Sequence, residues 1–205
     1  MKIHKIYARG FGANAYALTI DDKTAVVIDP AQPRVLDELE KLGLRAEYVL
    51  LTHFHYDHVA GVNRLQALGA KVLYSKVCKP YIGTSVDCSH MFGQEPVVYQ
   101  VDDVFSDGEE KTLCGLKIKC LITSGHTKGG ACYLVTDEEG KRHLFTGDTL
   151  FYGTVGRTDL PTGDAGELQE SLIRLSKLAD MPVYPGHGDD TTIAREKAQN
   201  PYMVF

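Results

Sequence analysis

Apolar positions along the chain switch between a period of two and a period near 3.6, and they do so twice in the same order. Residues 15–29 read as a β-hairpin. Ala15-Tyr16-Ala17-Leu18-Thr19-Ile20 runs extended into a polar turn at Asp21-Asp22-Lys23, and Ala25-Val26-Val27-Ile28-Asp29 returns. Residues 131–148 repeat the arrangement, with a turn at Glu138-Glu139-Gly140 and a return through His143-Leu144-Phe145-Thr146-Gly147-Asp148. Both hairpins close on an aspartate. A helical stripe follows each: Val35, Leu36, Leu39 and Leu42, opened by Pro33 and stopped at Gly43, and later Leu168, Leu172, Leu175 and Leu178. Each predicted helix gives way to a short apolar run ahead of a histidine. These runs are Tyr48-Val49-Leu50-Leu51-Thr52 before His53 and Met181-Pro182-Val183-Tyr184 before His187. Such unbroken runs predict strands covered on both faces. Two hairpin–helix–strand units in tandem predict an α/β fold, an αββα sandwich with two sheets face to face and helices outside. One domain over residues 1–205 is expected, with the site where the strand ends of the two halves meet.

Two local readings complete the pattern. Val59, Val62, Leu65 and Leu68, closed by Gly69, predict a single helix, and Asp189 and Asp190 are the expected caps of the last helix, ahead of Thr191-Thr192. Residues 78–112 carry Pro, Gly, Ser and two further cysteines and are expected to form a long excursion near the mouth of the site.

Composition narrows the function classes. Lys and Arg number 22 against 27 Asp and Glu, for a net charge of −5 over 205 residues, and no Lys/Arg-rich stretch is present, which disfavours nucleic acid as a partner. The longest apolar run, residues 131–135, is far short of the roughly 20 residues that span a bilayer. The first residues, Met1-Lys2-Ile3-His4-Lys5-Ile6, have no apolar core of a secretory leader, so a cytoplasmic chain without a membrane partner is expected. Five cysteines, an odd number with no CxxC pair, fit a reducing compartment and read mostly as small buried apolar side chains. Nothing in the sequence specifies an oligomeric state.

The chemistry concentrates at strand ends. Thr52-His53-Phe54-His55-Tyr56-Asp57-His58 places three of the eight histidines and a carboxylate within six residues. His53 and His55, two apart in extended chain, can point the same way, while Asp57 and His58 follow a further bend and can face a second centre. Imidazole nitrogen and carboxylate oxygen are ligands of Zn²⁺ and similar divalent ions. Three further segments repeat the theme: Ser124-Gly125-His126-Thr127, Thr146-Gly147-Asp148 and Tyr184-Pro185-Gly186-His187. His4, His90 and His143 fall outside this pattern and receive no role.

These residues resemble the metallo-β-lactamase superfamily, whose His-x-His-x-Asp-His signature stands at 53–58. Within it the chain looks most like the compact glyoxalase II-like hydrolases, through Phe145-Thr146-Gly147-Asp148-Thr149-Leu150-Phe151, Gly156-Arg157-Thr158-Asp159 and a tail from Thr191 through Glu196 and Asn200 to Tyr202. The resemblance implies two divalent metal ions, Zn²⁺ first with Fe or Mn as alternatives. His53, His55 and His126 would hold one and Asp57, His58 and His187 the other, with Asp148 bridging. It further implies hydrolysis of an acyl thioester of the hydroxyacylglutathione kind by a metal-bridged hydroxide, Asp57 and Asp148 being the catalytic carboxylates. Asp148 stands where zinc β-lactamases commonly carry a cysteine, which counts against antibiotic hydrolysis. Arg157 can bind a substrate carboxylate through its planar fork or pair with Asp159 or Asp164. Asn14, Tyr16 and Asp29 are candidate supports for the ligands. Two other functions stay open: an Fe(II) persulfide dioxygenase, in which His53, His126 and Asp148 would form a facial triad, and a non-catalytic metal-binding scaffold.

Overall fold

The computed structural model describes residues 1–7, 10 and 12–205. In chain order the strands and helices are β1 (Lys2–Ile6), β2 (Ala15–Thr19), β3 (Thr24–Ile28), α1 (Val35–Leu42), β4 (Arg45–Leu50), α2 (Tyr56–Val59), α3 (Val62–Gln66), β5 (Lys71–Ser75), β6 (Asp103–Phe105), β7 (Glu110–Leu113), β8 (Leu116–Ile122), β9 (Ala131–Thr136), β10 (Arg142–Gly147), β11 (Leu150–Phe151), β12 (Thr154–Val155), α4 (Ala165–Ser176), β13 (Pro182–Pro185), β14 (Thr191–Thr192) and α5 (Ile193–Gln199). Twelve of the strands form two six-stranded sheets, ordered β1-β2-β3-β4-β5-β6 and β14-β13-β10-β9-β8-β7, and β11 and β12 pair as a two-stranded ribbon. Both expected hairpins are present as antiparallel pairs, β2 with β3 and β9 with β10. After α1 and α4 the chain returns parallel, β4 beside β3 and β13 beside β10. No helix among the described residues is long and apolar enough to cross a membrane.

The period of two sorts the side chains into three cores. On β2, Ala15 and Ala17 face Val35 and Leu39 of α1 and Val62 and Leu65 of α3, whereas Tyr16 and Leu18 face the other sheet. Between the sheets Val26, Ile28, Leu50 and Leu73 meet Ile118, Tyr133, Val135 and Phe145. On the far side Leu121, Cys132, Leu144 and Val183 pack against Leu168, Leu172 and Leu175 of α4 and Ile193 of α5. The order is therefore helix, sheet, sheet, helix, as the duplicated pattern implied, and continuous apolar strands are what a sheet buried on both faces requires.

Local boundaries differ from the sequence reading in three places. The helix expected from Val59 to Leu68 is two short ones, α2 and α3, and α2 begins at Tyr56, inside the ligand motif. The break falls at Gly61, whose N–H bonds the Pro30 carbonyl at 2.7 Å and whose missing Cβ would lie 2.6 Å from the Pro30 and Gln32 carbonyl oxygens. That bond takes the Gly61 N–H out of the helical ladder, and Leu68 lies beyond α3, 59% exposed. Pro33 lies in the turn before α1 rather than in its first turn, since the helix opens at Val35. Thr192, not Asp189 or Asp190, caps α5: its side chain accepts from the Arg195 N–H at 3.1 Å, while Asp190 pairs with Lys5 at 2.7 Å. The excursion after β5 winds through three 3-10 turns, Lys79–Tyr81, Ser85–Asp87 and Ser89–Phe92, before β6 rejoins the first sheet. All five cysteines are free thiols, four of them buried.

Candidate metal centre

The chain leaves β4 at Leu50 and runs extended to His55, then turns into α2. The extended stretch puts His53 and His55 on one side, and the first helical turn carries Asp57 and His58. The other half contributes His126 after β8, Asp148 after β10 and His187 after β13. Two trios result. The ligand atoms of His53, His55 and His126 lie within 4.8 Å of one another, as do those of Asp57, His58 and His187. In the first, ring centroids are 4.7–4.9 Å apart and the rings cross at 82–88°, three edges converging on one point. In the second, Asp57 Oδ2 sits 3.2 Å from His187 Nε2. Asp148 stands between them, with Oδ1 3.2 Å from His58 Nε2 and Oδ2 3.5 Å from both His126 Nε2 and His187 Nε2.

The partners of the imidazoles decide which nitrogen is free. His126 donates Nδ1–H to the Arg157 carbonyl at 2.7 Å. His58 donates Nδ1–H to Asp29 Oδ2 at 2.8 Å. Thr52 Oγ1 donates to Asp29 Oδ2 at 2.6 Å, so toward His53 Nδ1, 3.1 Å away, it can only accept. In His53 and His126, and in His58 once an ion displaces its second proton, Nε2 therefore has the free lone pair, which is how such outer contacts set the tautomer of a metal ligand. Asp29 is a hub, since its Oδ1 also accepts the Thr52 backbone N–H at 2.8 Å. Although Asp29, His53 and His58 also lie close enough to surround an ion, Asp29 is occupied by these donors and serves as a support. Gly186 makes room at the centre, because a Cβ there would fall 2.4 Å from Asp148 Oδ1 and 2.6 Å from His58 Cε1.

Orphaned atoms provide the test of whether these residues fit an ion. His53 Nε2, His55 Nε2, His58 Nε2 and Asp148 Oδ1 are buried without a hydrogen-bond partner. Each such atom costs roughly 1–3 kcal/mol when left unsatisfied, and buried polar groups are ordinarily paired. His53 Nε2, His58 Nε2 and Asp148 Oδ1 fit ligand atoms of divalent cations, while His55 turns Nδ1 to the trio, 3.0 Å from His126 Nε2. The protonation states agree. Burial, reinforced by the neighbouring histidines, lowers the His53 imidazole well below its ordinary value and brings His55 down to about 3, so both are neutral, as ligands of a cation must be. Burial would raise Asp57 and Asp148, yet His58 and the other histidines outweigh it and hold both carboxyls down, Asp148 well below the carboxylate range. Burial likewise opposes a charge on His58, but Asp148, Asp57 and Asp29 raise it well above an ordinary imidazole. The donor set, five histidines and two carboxylates, is one that borderline divalent metals accept.

The trios open into a cleft of about 360 Å³ lined by His55, Asp57, His126, Asp148 and His187 and walled by Cys88, Met91, Phe92, Phe151, Val155 and Leu160. The sequence reading missed these wall residues; the only available signal was that 78–112 lay near the mouth. It also assigned no role to Thr52, whose clue was a polar β-branched residue ending an apolar strand. Arg157 borders the cleft, with its guanidinium held by both oxygens of Asp159 at 2.6 Å, the ion-pair alternative; Asp164 instead caps α4. Asn14 and Tyr16 support the second half, both donating to the Pro185 carbonyl two residues before His187. His143 is a buried side chain beside Asp137 and Tyr184, remote from the ligands in the contacts it makes.

Comparison with known proteins agrees with this geometry. Hydroxyacylglutathione hydrolase GloC of Haemophilus influenzae is 34% identical over 99% of this chain and 98% of its own length. Among solved structures, BLEG-1 B3 metallo-beta-lactamase superposes with a TM-score of 0.90 at 28% identity, covering 100% of both chains. TTHA1623, solved in a di-iron-bound form, gives 0.82 at 32% identity over 97% of this chain and 99% of its own. The family model of the metallo-beta-lactamase superfamily matches residues 8–187, a span that takes in both trios and the aspartate between them, and the chain belongs to that superfamily.

Proposed function

We propose that the chain is a metal-dependent hydrolase of acyl thioesters, of the hydroxyacylglutathione kind, with two divalent ions held by His53, His55 and His126 and by Asp57, His58 and His187, and with Asp148 shared. The observation that carries this is the cluster of three orphaned buried atoms, His53 Nε2, His58 Nε2 and Asp148 Oδ1, each from a different member of that ligand set. The full-length match to a hydroxyacylglutathione hydrolase supports the substrate class, and the di-iron form of a similar structure supports keeping Fe with Zn²⁺ and Mn as candidate metals. When bound, such ions lower the pKa of a water toward about 7 and polarise a carbonyl. The chain's own residues supply the rest. Asp57, deprotonated and facing the cleft, accepts and holds the proton of the attacking water. Cys88, Met91, Phe92, Phe151 and Leu160 exclude bulk water from the acyl group. Arg157 offers its guanidinium to a substrate carboxylate by exchanging Asp159 for it, an exposed pair that costs little to open.

A second reading, an Fe(II) persulfide dioxygenase, rests on His53, His126 and Asp148, two imidazoles and a carboxylate around one position. Protein loaded with Zn²⁺ or Fe²⁺ is supplied separately with lactoylglutathione, glutathione persulfide and a β-lactam, with and without oxygen. Thioester cleavage independent of oxygen is expected. Oxygen uptake with the persulfide in the iron form alone, without thioester cleavage in either form, overturns the hydrolase in favour of the dioxygenase; lactam cleavage faster than thioester cleavage overturns the substrate class.

A further inference from the structure

Glu196 is a fully buried carboxylate that the chemistry above does not use. It lies on α5, yet its hydrogen bonds reach out of the helix. Oε1 accepts from Thr191 Oγ1 at 2.6 Å and from Arg195 at 2.5 Å; Oε2 accepts from the Gly153 backbone N–H and from Asn200 Nδ2, both at 2.8 Å. Asn200 in turn donates to the Thr154 carbonyl at 3.1 Å, and the Arg195 guanidinium lies 3.5 Å above the centre of the Tyr152 ring. Tyr152 and Gly153 are the turn of the two-stranded ribbon β11–β12, and Thr154 is the first residue of β12. Each is gripped by a different side chain from the C-terminal segment.

That ribbon has only two residue pairs of its own, Leu150 with Val155 and Phe151 with Thr154. A hairpin so small is marginal by itself. Yet Phe151 and Val155 line the metal cleft, and the Phe151 ring meets His187 edge to face at 6.0 Å. We propose that Glu196, through its grip on the β11–β12 turn, is a positioning residue that fixes the apolar wall of the cleft and the ring of His187, and so sets how tightly the acyl part of the substrate is held. The proposal deepens the thioester hydrolase reading and rests on it for its kinetic consequence. Its structural part stands apart from any activity. The grip needs acceptors at Gly153 and Asn200 and only a polar partner at Thr191, while Arg195, a quarter exposed and stacked on Tyr152, can turn its Nη1 to solvent. Glu196→Gln can turn its oxygen toward Gly153 and Asn200 and give its amide to the Thr191 hydroxyl, so it keeps the grip, whereas Glu196→Ala removes it.

Both variants and the wild type are compared as full-length zinc-loaded protein. Amide hydrogen exchange reads the ribbon, the NMR resonances of the His187 ring read its contact with Phe151, and thioester kinetics read KM against kcat. Glu196→Ala is expected to lose at least tenfold protection at residues 150–155 while β9 and β10 keep theirs, to shift the His187 ring resonances, and to raise KM severalfold with kcat changed less than threefold. Glu196→Gln is expected to follow the wild type in all three. Unchanged exchange at 150–155 in the alanine variant overturns the grip. Loss of protection with the His187 resonances and KM unmoved overturns the positioning role, as does a glutamine variant that behaves like alanine. A wild type that cleaves no thioester, with exchange and His187 resonances responding as expected, places the failure in the proposed activity and leaves the grip established.

Discussion

Asp148 and Asp29 end the two halves of a duplicated pattern, and their neighbours give them different duties. Asp148 touches histidines of both trios, so replacing it by Ala is expected to lower the content of both ions, from about two per chain in a two-metal site, whereas His187→Ala should spare the first trio. Elemental analysis of the purified variants decides; a retained pair of ions in Asp148→Ala would remove it from the bridging position. Asp29 holds no ion in this scheme. It fixes His58 and Thr52, and through Thr52 the ring of His53. Asp29→Asn leaves one oxygen for donors that two now serve, so its NH2 faces either the Thr52 N–H or the His58 Nδ1–H, and the loss of such an outer contact typically costs 10–100-fold in metal affinity. Competition titration with a zinc chelator should show that weakening. Equal affinity would mean that His58 is oriented by its packing alone.

At the scale of elements, sequence patterns located helices and strands well and misjudged what interrupts them. The stripe Val59, Val62, Leu65 is real and packs into the first core, but the Gly61 N–H bonds the Pro30 carbonyl in place of a helical partner, a contact about 30 residues away in the chain that no local pattern encodes. The last helix misled for a related reason. Asp189, Asp190 and Thr192 are all good capping types, and the short strand β14, pairing with β13, delays the helix until Ile193 and hands the cap to Thr192. Thr192→Ala should therefore cost about 1 kcal/mol, and Asp189→Ala within about 0.5 kcal/mol of nothing, as measured by urea unfolding. The reverse order would restore Asp189 as the cap.

Across the whole molecule the three cores each contain one buried thiol: Cys78 beneath the first helical layer, Cys120 between the sheets and Cys132 beneath the second. Burial pushes Cys78 up to about 12 and Cys132 up to about 11, and raises Cys120 as well. An unfolded thiol ionises near 8.5, so above that pH the unfolded chain has fewer bound protons than the native one. Stability contributed by these groups is complete below about 8.5 and is lost as the pH climbs toward 11–12. The urea midpoint is expected to fall steadily from pH 8 to pH 10.5, and a flat profile would contradict three neutral buried thiols. Alkylation at pH 8 should mark half-buried Cys114 first. The three core thiols should then react together, at the rate of global unfolding; one reacting far ahead of the others would show that its layer opens separately.

By itself the sequence determined the kinds of element, their duplicated order, the sorting of side chains to the two faces of each strand, and the residue types that meet at the strand ends. All of these follow from periodicity and from neighbours a few positions apart, which local backbone geometry converts directly into direction. Only the tertiary structure decided which imidazole nitrogen the outer contacts occupy, that Arg157 lends its carbonyl to His126, that Asp29 accepts from His58 while Asp148 lies between the two trios, and that Glu196 of α5 accepts from the β11–β12 turn. Those outcomes depend on single hydrogen bonds between residues tens of positions apart: His58 to Asp29, His126 to Arg157, and Glu196 to Gly153. A pattern of apolar and polar positions carries the direction of a side chain but not the identity of the atom it will meet, and the chemistry of this centre is set by those atoms.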